Sequence, residues 1–127
     1  MSIFTVAESA KTHYERSAKL LASLNLKIGS TTRKLIISEM TINAGIYNKN
    51  EELYKKGFEN FKKYTLLQME RFEESTDGQV QAVSIDSGEK EEIKIGEAHR
   101  QFCADSKEYF DMYTGLLGNL KKLKYFD

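Results

Sequence analysis

Two histidines and one cysteine are the side chains of this sequence best suited to specialised chemistry. His99 and Cys103 stand four apart, the spacing that puts two side chains on one helix face, where an imidazole can activate a thiol. Such a pair still needs a third group to orient the base. Phe102 continues an apolar seam beside them, so core or boundary packing is the expected role of both. His13 lies in a polar stretch and is expected to be solvated. Metal chemistry fares no better. A di-iron carboxylate bundle repeats Glu-x-x-His into its core, whereas Ala10 stands three residues before His13 and Gly96 three before His99. One cysteine and two histidines are too few for a closed zinc site. No G-x-S-x-G, Walker-type loop or Gly-rich dinucleotide pattern occurs. The expectation is a non-enzyme with no catalytic residue, no metal and no cofactor.

Composition sets the wider limits. A chain of 127 residues is one domain, large enough for a real core. Nineteen basic and nineteen acidic residues cancel, so no global field draws it to nucleic acid or to an anionic membrane. The charge is uneven along the chain. Residues 11–34 hold six Lys or Arg against Glu15 alone, and residues 70–108 hold eleven acids against five bases. Neighbouring placement of these segments, within the fold or in a dimer, explains such a pattern. The Lys-Lys steps at 55–56, 62–63 and 121–122 alternate with glutamates or face away from the aromatics, which reads as a solvated face and not a nucleic-acid groove. A lone cysteine suits a reducing compartment. The first residues show no basic-then-apolar leader, and no apolar run approaches bilayer length. A cytoplasmic protein is expected.

Positioning falls to helices. Residues 48–74 form the clearest amphipathic stretch, with Tyr54, Phe58, Phe61, Tyr64, Leu67, Met69 and Phe72 on one broad face. Glu51, Glu52 and Glu59 each precede a lysine by four, and Asn48 followed by Glu51 resembles a capping box. Upstream, a heptad line runs from Ile3 through Ala10, Tyr14, Ser17, Leu21 and Leu24, and on through Leu35, Ser38, Ile42 and Gly45. Ser2 is its candidate cap. Gly29 either ends a helix there, with Ser30 or Thr31 capping the next, or is passed through; the unbroken register favours passage. A second weak point is Asn43–Asn50. After Glu74 a turn at Ser75–Gly78 leads into 79–95, which reads as a loop to 88 and then a helix, or as a short β-hairpin; the loop is preferred because an isolated hairpin is marginal in water. The last helix carries His99, Phe102, Ser106, Tyr109, Tyr113, Leu116, Leu120 and Leu123 on one line.

The expected fold is therefore all-α: an elongated antiparallel three-helix bundle with coiled-coil-like packing, helices near 2–46, 48–74 and 89–124, becoming four helices if the first breaks at Gly29. Eleven of the fourteen aromatics fall in 54–72 and 102–126, which predicts an aromatic interface between those two helices. Leu20, Leu24, Phe58, Phe61, Tyr109 and Tyr113 form the candidate interaction face. The expected function is helix-face packing on another protein, as in an adaptor, a secretion-type chaperone or an immunity-like inhibitor, together with homo-oligomerisation. The run at 17–35, SAKLLASLNLKIGSTTRKL, resembles in composition the granule-associated amphipathic proteins called phasins. That resemblance implies the alternative, a coat on lipid or polymer inclusion surfaces, with the N-terminal helix as its apolar face.

Overall fold

The computed structural model describes residues 3–24, 30–74, 79–83 and 90–126, with side chains described over 6–24, 30–70, at Lys94 and over 97–126. The expected Ser2 cap and the turn at 75–78 lie outside the described residues. The described residues form an all-α bundle of four helices: α1 (Ile3–Ser23), α2 (Thr31–Tyr47), α3 (Glu51–Glu74) and α4 (Ile95–Lys122). A short hairpin of β1 (Gln79–Val83) and β2 (Lys90–Lys94) stands between α3 and α4.

The long N-terminal seam belongs to two helices, not one. Ser30 is extended, at φ −61° and ψ 133°, and its hydroxyl accepts from the Arg33 N–H at 3.3 Å, so α2 has its own cap and its own start. α1 folds back along α2, with the Lys11 ammonium 5.9 Å from the Tyr47 ring. A heptad line reads alike for one continuous helix and for two helices that use the same stripe against each other. Ala10, Ser17 and Leu20 are buried from one side, and Ile36, Ile42 and Ile46 from the other.

Between α2 and α3 the chain turns in three residues. The Asn50 N–H bonds the Gly45 carbonyl at 2.8 Å and the Lys49 N–H bonds the Ile46 carbonyl at 3.2 Å, with Lys49 at φ 54°. This is a Schellman closure in which lysine takes the left-handed position usually given to glycine. Asn50 then caps α3, its side-chain oxygen accepting from the Leu53 N–H at 3.1 Å. The expected cap, Asn48, ends α2 instead and donates its amide to the Ala44 carbonyl. Of the three expected Glu-Lys pairs, only Glu51–Lys55 closes, at 3.0 Å, among the described residues. Lys63 lies over the Tyr64 ring.

The short turn sets α2 and α3 side by side at very close range. A Cβ on Gly57 would meet the Ile42 nitrogen at 2.7 Å and the Ser38 carbonyl oxygen at 3.0 Å. One on Gly45 would meet the Tyr54 nitrogen at 2.6 Å. Backbone therefore packs on backbone at two levels. α3 and α4, by contrast, are spaced by rings: Phe61 sits 5.8 Å from Phe110 and 5.6 Å from Tyr113, and Phe58 sits 5.8 Å from Tyr113. The aromatic interface expected between these helices is present. One core joins Ala10, Ile42, Ile46, Tyr54, Phe58, Phe61, Tyr113, Leu120 and Tyr125.

Residues 79–94 correct the preferred loop-then-helix reading. Gln79 pairs with Lys94 and Val83 with Lys90 in an antiparallel ladder, so α4 begins at Ile95 and not at 89. Glu91 and Glu92 lie in β2. The antiparallel packing of α3 on α4 already brings the hairpin's ends together, which lowers the closure cost, and both strands contact α4.

Gly57→Ala is expected to lower stability by about 1–3 kcal/mol, because the added methyl strikes backbone that cannot rotate away. Gly118→Ala meets nothing within 4 Å and should raise stability by about 0.5–1 kcal/mol through helix propensity alone. Paired urea melts of the two variants measure the contrast.

Candidate interaction face

The six residues expected to form an interaction face divide into three groups. Phe58, Phe61 and Tyr113 are buried at the centre of the chain's own core. Tyr109 joins them at the edge, 6.1 Å from Phe61 and stacked on Tyr113 at 6.2 Å with 20° between the rings, yet it remains 37% exposed. Leu20 is buried where α1 packs on α2, and Leu24 is half-buried beyond it. The structure thus gathers Phe58, Phe61, Tyr109 and Tyr113 in one cluster and places Leu20 on α1 and Leu24 just past its end.

Polar groups lock the cluster. The Tyr54 hydroxyl donates to the Tyr113 carbonyl at 2.6 Å, tying α3 to α4, and the Tyr125 hydroxyl donates to the Ile46 carbonyl, tying the chain beyond α4 to α2. A second Schellman closure delivers Tyr125 there: its N–H bonds the Leu120 carbonyl at 3.0 Å, and Lys124 takes the left-handed position at φ 55°. Burial raises the pKa of Tyr54, Tyr113 and Tyr125 above the ordinary phenol value. At Tyr113 the Glu39 carboxylate and the neighbouring Tyr109 and Tyr54 add to it. Thr65, one turn beyond Phe61 and 1% exposed, buries a hydroxyl with no hydrogen-bond partner.

His99 and Cys103 lie half-buried one turn apart on α4. Among the described residues no group of His, Cys, Asp or Glu has the geometry to hold a metal ion, and no helix is long and apolar enough to cross a membrane.

What remains open is one flank of α4. Its buried stripe is Phe110, Tyr113, Leu117 and Leu120. To one side, within about 100° on the helical wheel, lie Tyr109, half-buried Leu116, Met112 at 49% exposure and, at the helix end, Leu123 at 56%. Three of the six large exposed apolar residues among those described are on this flank, so it is a concentration and not scatter. Sequence reasoning placed Tyr109, Leu116 and Leu123 on the α4 seam but passed over Met112. Its one signal was a large apolar side chain standing outside that seam. No family model, curated protein or solved structure matches the chain.

Two outcomes follow from the buried polar groups. Thr65→Val keeps the shape and removes the unpaired hydroxyl, so thermal melts should show a gain of about 1 kcal/mol, whereas Tyr54→Phe should lose about 0.5–1.5 kcal/mol. In alkali the three tyrosines hold their protons more tightly folded than unfolded. Their contribution is intact below the unfolded phenol value of about 10 and is lost as pH rises above it. Phenolate absorbance from these residues should therefore appear together with the loss of helical circular dichroism in an alkaline titration.

Proposed function

We propose that this chain is a non-enzymatic interaction protein that works by packing a helix face onto another protein, in the manner of an adaptor, a secretion-type chaperone or an immunity-like inhibitor. The observation that carries this reading is the flank of α4, where Tyr109, Met112, Leu116 and Leu123 stay open beside a completed core. Burying large apolar side chains returns roughly 1.5–3 kcal/mol each, enough for a few such residues to anchor a complex. The flank belongs to a preformed helix held by Tyr54 and Tyr125, so little ordering cost attaches to binding there. The inclusion-coat alternative asks more of the fold, since Leu20 is buried on α2 and α1 would have to lift off to lay it on a surface.

Affinity capture from the native cell with the chain as bait, with and without detergent, tests the reading. A stoichiometric protein is expected to survive detergent and to be lost with Met112→Glu, a change at an exposed position that leaves the fold intact. Recovery of lipid or polymer in its place, together with liposome flotation that Met112→Glu does not affect, would defeat it.

A further inference from the structure

We propose that the open flank of α4 takes a second copy of this chain, docked antiparallel across a two-fold axis at Met112. This rests on reading that flank as an interaction face and names its occupant.

The solvent side of α4 carries a second heptad line, separate from the buried one. Gln101, Asp105, Glu108, Met112, Gly115, Asn119 and Lys122 follow one another in alternating steps of four and three, and every one is exposed. That spacing presents a continuous stripe to a partner helix. Tyr109, Leu116 and Leu123 border the stripe on its inner edge, so its middle is apolar.

The charges along the stripe identify the partner. Asp105 and Glu108 lie on its N-terminal half, with Glu97 further out in the same direction; Lys122, beside Lys121, lies on its C-terminal half. Arg100 and Lys107 lie off this line, about 120° and 140° from Met112 around the helix. An antiparallel helix with the same polarity meets this pattern with opposite charges at both ends, and α4 is such a helix. A two-fold axis at Met112 sets Met112 against Met112 and Asp105 level with Asn119 of the second copy. Lys122 of that copy is then one turn from Asp105 and within its reach. A parallel pair would stack Asp105 on Asp105 and Lys122 on Lys122. The surface is self-complementary, which is what a closed isologous dimer requires.

Gly115 fits the same arrangement. A Cβ there would meet nothing within 4 Å, so the chain's own packing gives no reason for a glycine in mid-helix. It stands one turn from the axis, on the line where the second backbone crosses. A single helix pair is a small interface, so the dimer should dissociate on dilution.

Sedimentation velocity over a concentration series, followed by cysteine cross-linking, tests the proposal. The chain is expected to pass from monomer to dimer as concentration rises, and Met112→Glu should abolish the dimer without changing the circular dichroism spectrum. Lys122→Glu alone should weaken it roughly tenfold, and adding Asp105→Lys should restore it, because the swap returns opposite charges to each end. In a Cys103→Ser background, Met112→Cys should oxidise to a linked dimer. Asp105→Cys should link efficiently only when mixed with Asn119→Cys. A chain that stays monomeric up to millimolar concentration overturns the proposal, as does a dimer that survives Met112→Glu or one in which Asp105→Cys links to itself. If the native-cell capture still recovers a protein lost with Met112→Glu in any of those cases, the interaction reading stands and only the identity of the occupant has failed.

Discussion

α2 and α3 meet backbone to backbone at Gly45 and Gly57, and the rest of the bundle is arranged around that contact. Gly57 lets the Ile42 backbone in, and Gly45 lets in that of Tyr54, at distances where any side chain would collide. A three-residue turn fixes the register of that contact, with Lys49 absorbing the left-handed conformation and Asn50 serving both the end of one helix and the start of the next. Two helices held backbone to backbone leave little room between them for side chains. Their larger apolar groups must face outward to either side, and a helix is needed on each side to cover them. α1 covers α2 with small residues such as Ala10 and Ser17, whereas α4 covers α3 with aromatic rings. The bundle is thus close-packed on one side and wide on the other.

The wide side explains the buried hydroxyls. Rings at 5.6–6.5 Å between centroids fill a large gap with stiff groups, but tyrosines bring oxygen atoms that must find partners inside. Tyr54 and Tyr125 find backbone carbonyls on neighbouring elements and thereby fix the axial position of α4. An apolar ring in either place would fill the same space without specifying that position.

Much of this was legible in the sequence, and what was missed has common causes. The aromatic pairing of α3 with α4 followed from where the rings cluster, since large residues at helical spacing leave few other arrangements. The N-terminal seam misled because heptad periodicity carries no direction: Ile3–Gly45 in one register describes a rod and a hairpin equally, and only the extended backbone at Ser30 decides between them. The cap near Asn48 was displaced by two residues because three asparagine or lysine positions in a row offer several caps, and the Schellman closure selects among them by geometry. The hairpin at 79–94 is marginal in isolation, but both of its strands contact α4. Gly57 drew no notice because a glycine inside a strongly amphipathic helix reads as a minor cost until the helix it touches is known. Of the candidate face, Phe58, Phe61 and Tyr113 carried the same sequence signal as Tyr109. Periodicity marks a residue as apolar-facing without saying which helix it meets.

The same reasoning bears on what α4 has left over. Glycines divide into those the fold uses and those it does not. Gly45 and Gly57 are demanded by contacts within the chain, whereas Gly115 and Gly118 face open space and weaken the helix that carries the exposed flank. α4 nonetheless runs for 28 residues, the longest helix among those described, with Glu97, Asp105 and Glu108 on its N-terminal half and Lys121 and Lys122 at its end. The helix dipole acts on the terminal turns, so it accounts for Glu97, Lys121 and Lys122 but not for Asp105 and Glu108, which lie further in. On the same line as Met112, Asp105, Glu108 and Lys122 make the surface complementary to its own reverse. A helix with acids on one half of an exposed line and a lysine at its far end is, once apolar side chains border the line between them, already most of an antiparallel dimer interface.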